Sequence, residues 1–175
     1  SLVKSLYVRN EFVGLQNYKE LFTNNTFLLA LKNTVVFTVI AIPTLMIISF
    51  LIALFLNSFK KISTFFRSSL LIPVVVPVAS LICVWQILFD NYGAVNNLLN
   101  AMGMDTIQFF TSEYSMVMIV LIYVWKYAGF CVVLFTAGLA NVPSSLYESA
   151  RLDGANSFKL VTKITIPMII PTAFF

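Results

Sequence analysis

The chain has 175 residues, of which 59% are hydrophobic and only 10% charged, with a mean hydropathy of +0.92. Soluble domains run at roughly 45 to 50% apolar and about 25% charged, so this composition excludes a soluble enzyme and reads as an integral membrane protein. The absence of His excludes His-based catalysis and the usual zinc sites, and the net charge of +4 is no nucleic-acid footprint, because the basic residues flank apolar runs instead of forming a stripe.

Residues 1–32 are a mixed extracytoplasmic or interfacial segment. Asn17 and Glu20 are spaced like a helix cap before Leu21 and Phe22. The segment is either a short interfacial helix, with Tyr18, Leu21 and Phe22 against apolar material, or a plain surface linker. Residues 33–56 form the first complete span, uncharged and, at about 24 residues, long enough to cross with some tilt. Thr34, Thr38, Ala41, Ser49 and Ala53 fall near one face, a pattern of close helix packing in lipid or of a solute-lining surface.

The connection 57–67 carries Lys60, Lys61 and Arg67 and no acid, and residues 68–89 are the second span. Pro73 and Pro77 each remove a backbone donor near its start, so this helix is expected to be kinked or locally unwound there, either for packing or as a moving gate. The next loop holds Asp90, Asp105 and Glu113 without Lys or Arg, and Gly93 and Gly103 mark turns in it. The positive-inside rule puts that loop outside, and it puts 57–67 and the loop carrying Arg151, Lys159 and Lys163 inside; Lys4, Arg9, Lys19 and Lys32 in the amino-terminal segment run against this orientation.

Residues 114–140 make the third span, with Lys126 near its middle. A cation there costs roughly 2.5 to 3.5 kcal/mol on insertion scales, so it must face a bundle interior, a water-filled cavity or a partner. Tyr123, Gly129, Phe130 and Val133 share its face by helical spacing. Tyr123, Lys126, Gly129 and Phe130 are candidates for a solute path, the alternative being a Lys that snorkels or contacts another subunit.

The loop 143–163 is the only long charged stretch between two apolar runs that also carries ordered turn chemistry. Ser145 and Glu148 stand in capping-box spacing, which predicts a helix from Leu146; Asp153-Gly154 ends it, and Asn156 or Ser157 caps a second short helix through Lys163. A truncated span, 164–175, follows. It stops at Phe175 after about 12 residues, about 18 Å of helix against a hydrocarbon core of about 30 Å, and the chain lacks an initiating Met and a signal peptide, so a piece of a longer protein is expected.

Cys83 and Cys131 lie in apolar runs and do not report a redox compartment, and no internal repeat or low-complexity tract is visible. No G-x-x-x-x-G-K-[ST] cradle for nucleotide phosphates occurs, and the acids all lie in loops, so neither ATP hydrolysis nor intramembrane carboxylate chemistry is expected. What remains is an all-α membrane bundle with a helix-Gly-helix projection. Such a projection can dock in a groove of a soluble partner, with Leu146, Tyr147 and Ala150 inserted and Glu148 and Arg151 at the rim.

The residues of this projection also carry a family resemblance. Glu148-Ser149-Ala150, three residues, Gly154, nine residues, then Ile164-Thr165-Ile166-Pro167 resembles the EAA loop of the permease subunits of binding-protein-dependent ABC importers, E-A-A, three residues, G, nine residues, I-x-L-P. Ser149 and Ile166 are the two departures. Phe12-Val13-Gly14-Leu15 with Asn17-Tyr18, the stretch from Phe66-Arg67 to Pro73, and Ala137-Gly138-Leu139 before Pro143 are similar to the carbohydrate-uptake branch, the maltose and glycerol-phosphate type.

The resemblance implies a type I importer permease of about six spans when complete, multi-pass in the cell membrane of a bacterium or archaeon, taking up a sugar or related solute. It implies Leu146, Tyr147, Glu148, Ser149, Ala150, Asp153 and Gly154 as the residues coupled to the ATPase. It further implies a pair of cytoplasmic ATPase subunits, a second permease subunit and an extracellular solute-binding protein as partners besides lipid, with no catalytic residue, metal or cofactor in this chain. A secondary transporter or channel not driven by ATP is the competing reading, and it would call for intramembrane acids or a repeated half. A membrane anchor for a cytosolic complex is the third.

Overall fold

A computed structural model describes residues 7–8, 11–12, 14–111 and 113–173 of the chain. Lys4, Arg9, Val13 and Phe175 lie outside the described residues, as do the side chains of Lys60 and Lys61. Apart from an antiparallel pair, β1 (Tyr7–Val8) and β2 (Glu11–Phe12), the described elements are helices.

Two compact units divide inside the first long helix, at Ile40 and Ala41. The amino-terminal unit contains α1 (Gln16–Thr23), which takes the place of the alternative linker and begins one residue before Asn17. Its first turn has no side-chain cap, and Gln16 Nε2 donates to Glu20 Oε1 at 3.2 Å instead. Asn24 then starts α2 (Asn25–Ser58): its Oδ1 accepts from the amides of Thr26 at 2.9 Å and Phe27 at 3.3 Å. The helix thus begins at Asn25, ahead of the expected start of the span at 33. Lys32 marked a boundary in composition, but a single cation does not stop a capped helix of 34 residues, about 51 Å long, that outruns the hydrocarbon core.

In the second unit α2 presents Ala41, Leu45, Ser49, Ala53 and Leu56 as its buried face. Thr34 and Thr38, expected on the same face, are exposed and donate back to the carbonyls of Ala30 and Thr34 at 2.9 and 2.8 Å, so their hydroxyls are satisfied within their own helix. The expected second span, 68–89, is two helices. α3 (Lys60–Val75) begins earlier, Val76 is extended at φ −67° and ψ 130°, and α4 (Val78–Phe89) starts behind Pro77. Pro77 forces this, because its ring disfavours helical backbone at the residue before it and it has no amide to continue the ladder. The loop expected over 90–113 also contains a helix, α5 (Ala94–Ala101). Asn96, fully buried, fastens the loop by donating to the carbonyls of Asp90 and Ile107 and accepting from the amide of Ile107, each at 2.9 Å.

α6 (Ser115–Ala140) is the central element of this unit and pairs most extensively with α3. Ala53 and Leu56 of α2, Val132, Phe135 and Leu139 of α6, Val142, and Ile169 near the carboxyl end form one buried apolar cluster. Three stretches are long and apolar enough to cross a membrane: Asn25–Ser58, Val78–Ala101 and Ser115–Ala140. The middle one turns at Asp90–Gly93, so the continuous helix there is the 12-residue α4, which ends at Phe89. Phe89 belongs to an aromatic group, stacked on Trp85 at 5.3 Å and edge-on to Phe109 at 5.0 Å, of the kind that settles at a membrane interface.

Candidate functional site

Two places carry the residues singled out from the sequence, and α6 connects them. The first is the junction between α3 and α4. Gly129 lets α6 approach α3 backbone to backbone: a Cβ there would sit 1.8 Å from the Leu70 carbonyl oxygen. One turn away, Lys126 is only 7% exposed, and its Nζ donates to the carbonyls of Pro73 at 3.1 Å, Val74 at 3.3 Å and Val76 at 2.7 Å. All three ammonium protons therefore have backbone acceptors. On the other side of α6, Ser49 Oγ donates to the Ala128 carbonyl at 3.4 Å, which places a small hydroxyl where α2 comes close.

The other two path candidates, Tyr123 and Phe130, lie along α6 before and after Lys126. Phe130 is 52% exposed, and half-buried Tyr123 rests its ring against Tyr127 at 4.9 Å. Between α2, α3 and α6 lies a cavity of about 690 Å³ lined by apolar side chains including Ile48, Ile72, Val124 and Trp125. Thr44 and Ser69 are the two hydroxyl side chains in a lining that is otherwise mostly apolar.

The second place is the helical projection after α6. α7 (Ser144–Leu152) starts behind Pro143 with no side-chain cap, so the expected capping box of Ser145 and Glu148 and the start at Leu146 are corrected. Proline sits readily at a helix entrance, and with the helix begun at Ser144, Ser145 is already inside the first turn and cannot act as its cap. The carboxyl end is as the sequence indicates. Gly154 has φ +78°, its amide donates to the Arg151 carbonyl at 3.0 Å, and the Ala155 amide donates to the Ala150 carbonyl at 2.9 Å. These two bonds are a Schellman turn, and the positive φ is why Gly fits there.

Asn156, and not Ser157, caps α8 (Ser157–Leu160), its side chain accepting from the Lys159 amide at 2.9 Å. The helix expected through Lys163 widens into a π segment (Val161–Thr165) before α9 (Ile166–Ala173). Pro167 explains the widening: it has no amide to bond to the Lys163 carbonyl, and the Ile166 amide reaches Val161 instead.

The residues expected to couple to an ATPase divide by facing. Tyr147 turns toward its own chain, packed against the buried cluster, and its hydroxyl lies 2.9 Å from Thr165 Oγ1 in the π segment. Thr165 donates its own proton to the Leu160 carbonyl at 3.3 Å, so Tyr147 is the donor in that pair. This corrects the expectation that Tyr147 inserts into a partner. Leu146, Glu148, Ser149, Asp153 and Gly154 are exposed, and Ala150 is half-buried.

Two large apolar side chains that sequence reasoning did not single out are more exposed than any of the expected anchors: Leu152 at 89% and Phe158 at 75%. They flank the Gly154 turn. The signal was present in the sequence, since an apolar residue beside Asp153-Gly154 in a polar loop has no span to belong to.

Comparison with known proteins agrees with this architecture. The chain is 35% identical over 165 residues to the sulfoquinovosyl glycerol transport system permease protein SmoG of Agrobacterium fabrum, an alignment covering 93% of this chain and 53% of the relative. It is 32% identical over 183 residues to the lactose transport system permease protein LacF of Rhizobium radiobacter, covering 100% of this chain and 61% of that protein. The chain thus spans little more than half the length of the curated relatives it matches. Among solved structures, a chain of a bacterial ABC transporter involved in the import of the acidic polysaccharide alginate superposes with a TM-score of 0.87 at 26% identity, covering 98% of this chain and 62% of that one. A second alginate ABC transporter structure, in complex with an alginate pentasaccharide-bound periplasmic protein, matches with a TM-score of 0.83 at 27% identity over 91% of this chain and 57% of its own. With residues 22–175 also matching the family model, the chain belongs to the binding-protein-dependent transport system inner membrane components.

Proposed function

We propose that this chain is part of the permease subunit of an ABC importer, and that it carries a sugar, oligosaccharide or related solute inward when cytoplasmic ATPase subunits close. The observation that carries the reading is the projection after α6: a capped, Gly-bent pair of helices that buries none of its α7 residues and turns Leu146, Leu152 and Phe158 outward. Exposed apolar anchors around a rigid turn suit a groove on a soluble partner. In this reading Leu152 and Phe158 join Leu146 and Ala150 as the docking side, while Glu148, Ser149 and Asp153 form its polar rim. Tyr147 ties the projection back to the membrane helices.

The sugar class is supported by the relatives, which are described as carrying a sulfoquinovosyl glycerol, lactose and alginate. A second permease subunit and an extracellular binding protein complete the assembly, as a periplasmic protein does in the alginate structure. The solute path runs beside α6 past Tyr123 and Phe130, with Gly129 and Lys126 in its supporting wall. Reconstitution of the full-length complex with its ATPase and binding protein tests this. Solute should enter proteoliposomes only when ATP is supplied on the side that carries α7; entry without ATP would favour the secondary transporter or channel instead.

A further inference from the structure

Lys126 is the one charged residue among the buried described residues, and the explanation lies in the backbone it faces. In an unbroken helix the Pro73 carbonyl would accept from the amide of residue 77, and the Val74 carbonyl from that of residue 78. Pro77 has no amide, and Val76, extended at ψ 130°, carries Val78 out of the ladder and leaves its own carbonyl outside any helix. The break thus frees the last four carbonyls before α4, those of Pro73, Val74, Val75 and Val76. Lys126 Nζ binds three of them, those of Pro73, Val74 and Val76, at 2.7 to 3.3 Å. The position is held from both sides, because the Gly129–Leu70 approach fixes α6 against α3 one turn away.

We propose that Lys126 is a positioning residue, a tethered cation that takes over the amide lost at Pro77 and fastens α6 to the joint between α3 and α4. α6 leads through Asn141–Pro143 directly into α7, so the same contact is the link by which a displacement of the projection reaches the outer half-helix α4. This second step rests on the import reading above; the first does not. The arrangement also explains how a lysine can sit in mid-span without an acid beside it, its charge being met by three carbonyl dipoles.

The test is a double-substitution cycle in the full-length complex: Lys126→Met, Pro77→Ala, and both together. Membrane level, thermal melt and uptake kinetics are measured for each. Lys126→Met is expected to lower the melt and to cut maximal uptake at least tenfold, with the apparent KM for solute within twofold of the parent. Where Lys126→Met does not accumulate, its membrane level replaces the rate as the readout. Pro77→Ala supplies an amide and a helical path for the freed carbonyls, so the double variant is expected to recover at least half of the lost level and melt.

No recovery in either quantity would overturn the proposal, as would a raised KM with an unchanged maximal rate, the signature of a solute ligand. If uptake by the parent complex proves independent of ATP, the import reading falls. The level and melt of the double variant still decide the fastening.

Discussion

Around Lys126, α6 meets α3 backbone to backbone and every proton of the ammonium has an acceptor, whereas just beyond the same helix α7 buries none of its residues. The junction is completed from within the chain: a glycine sets the approach and a lysine replaces a missing amide. The projection is incomplete on its own, with Leu152 and Phe158 left outward. It holds its shape by local devices, the Schellman turn at Gly154, the Asn156 cap and the Tyr147–Thr165 bond. A membrane part that must keep its register and a projection that must present a surface call for these different kinds of construction.

The contrast can be broken first at its tight end. Gly129→Leu places carbon against the backbone oxygen of Leu70, and neither backbone can move aside without parting α6 from α3. We expect a destabilisation of about 3 kcal/mol or more, at the upper end for an overpacked core, read as loss of the folded subunit from membranes and a collapsed thermal melt. At the exposed end the same kind of change should act on function and not on folding. Space around Gly154 is open, so Gly154→Asp meets no atom, and its left-handed φ costs about 1 kcal/mol. Membrane level should stay near the parent's, while ATP-driven uptake drops at least tenfold because the angle between α7 and α8 is no longer held. Retained uptake would mean that the turn transmits nothing. Smallest is Asn156→Ala, which removes the α8 cap for about 1 kcal/mol and should slow uptake no more than severalfold, detectable as faster amide exchange at Lys159.

The sequence was legible where a residue's role is set by its neighbours in the chain. Gly154 after a helix, Asn156 before one and Pro77 in an apolar run are local signals, and the structure has a Schellman turn, a cap and a helix break at those places, whereas Pro73 lies inside α3. It was misleading at Ser145 and Glu148, where capping-box spacing competes with a proline two residues earlier that starts the helix first. Non-local partnerships were not legible at all. Nothing in the spacing of α6 says that Lys126 meets the carbonyls freed by Pro77, or that Tyr147 bonds to Thr165 instead of facing outward, because both pairings depend on how distant helices pack. Thr34 and Thr38 show the reverse case: small polar residues in phase with a buried face that nevertheless serve only their own helix.

The claim that the projection is the lever driven by a nucleotide-hydrolysing partner is tested most directly by two photocrosslinking side chains, one at Leu152 and one at Tyr92. Both positions are 89% exposed, and they lie beyond opposite ends of α6. In native membranes carrying the full-length complex, the probe at Leu152 is predicted to capture the ATPase subunit, identified by mass, and the probe at Tyr92 to capture none. Capture at neither position, or equal capture at both, would contradict the account.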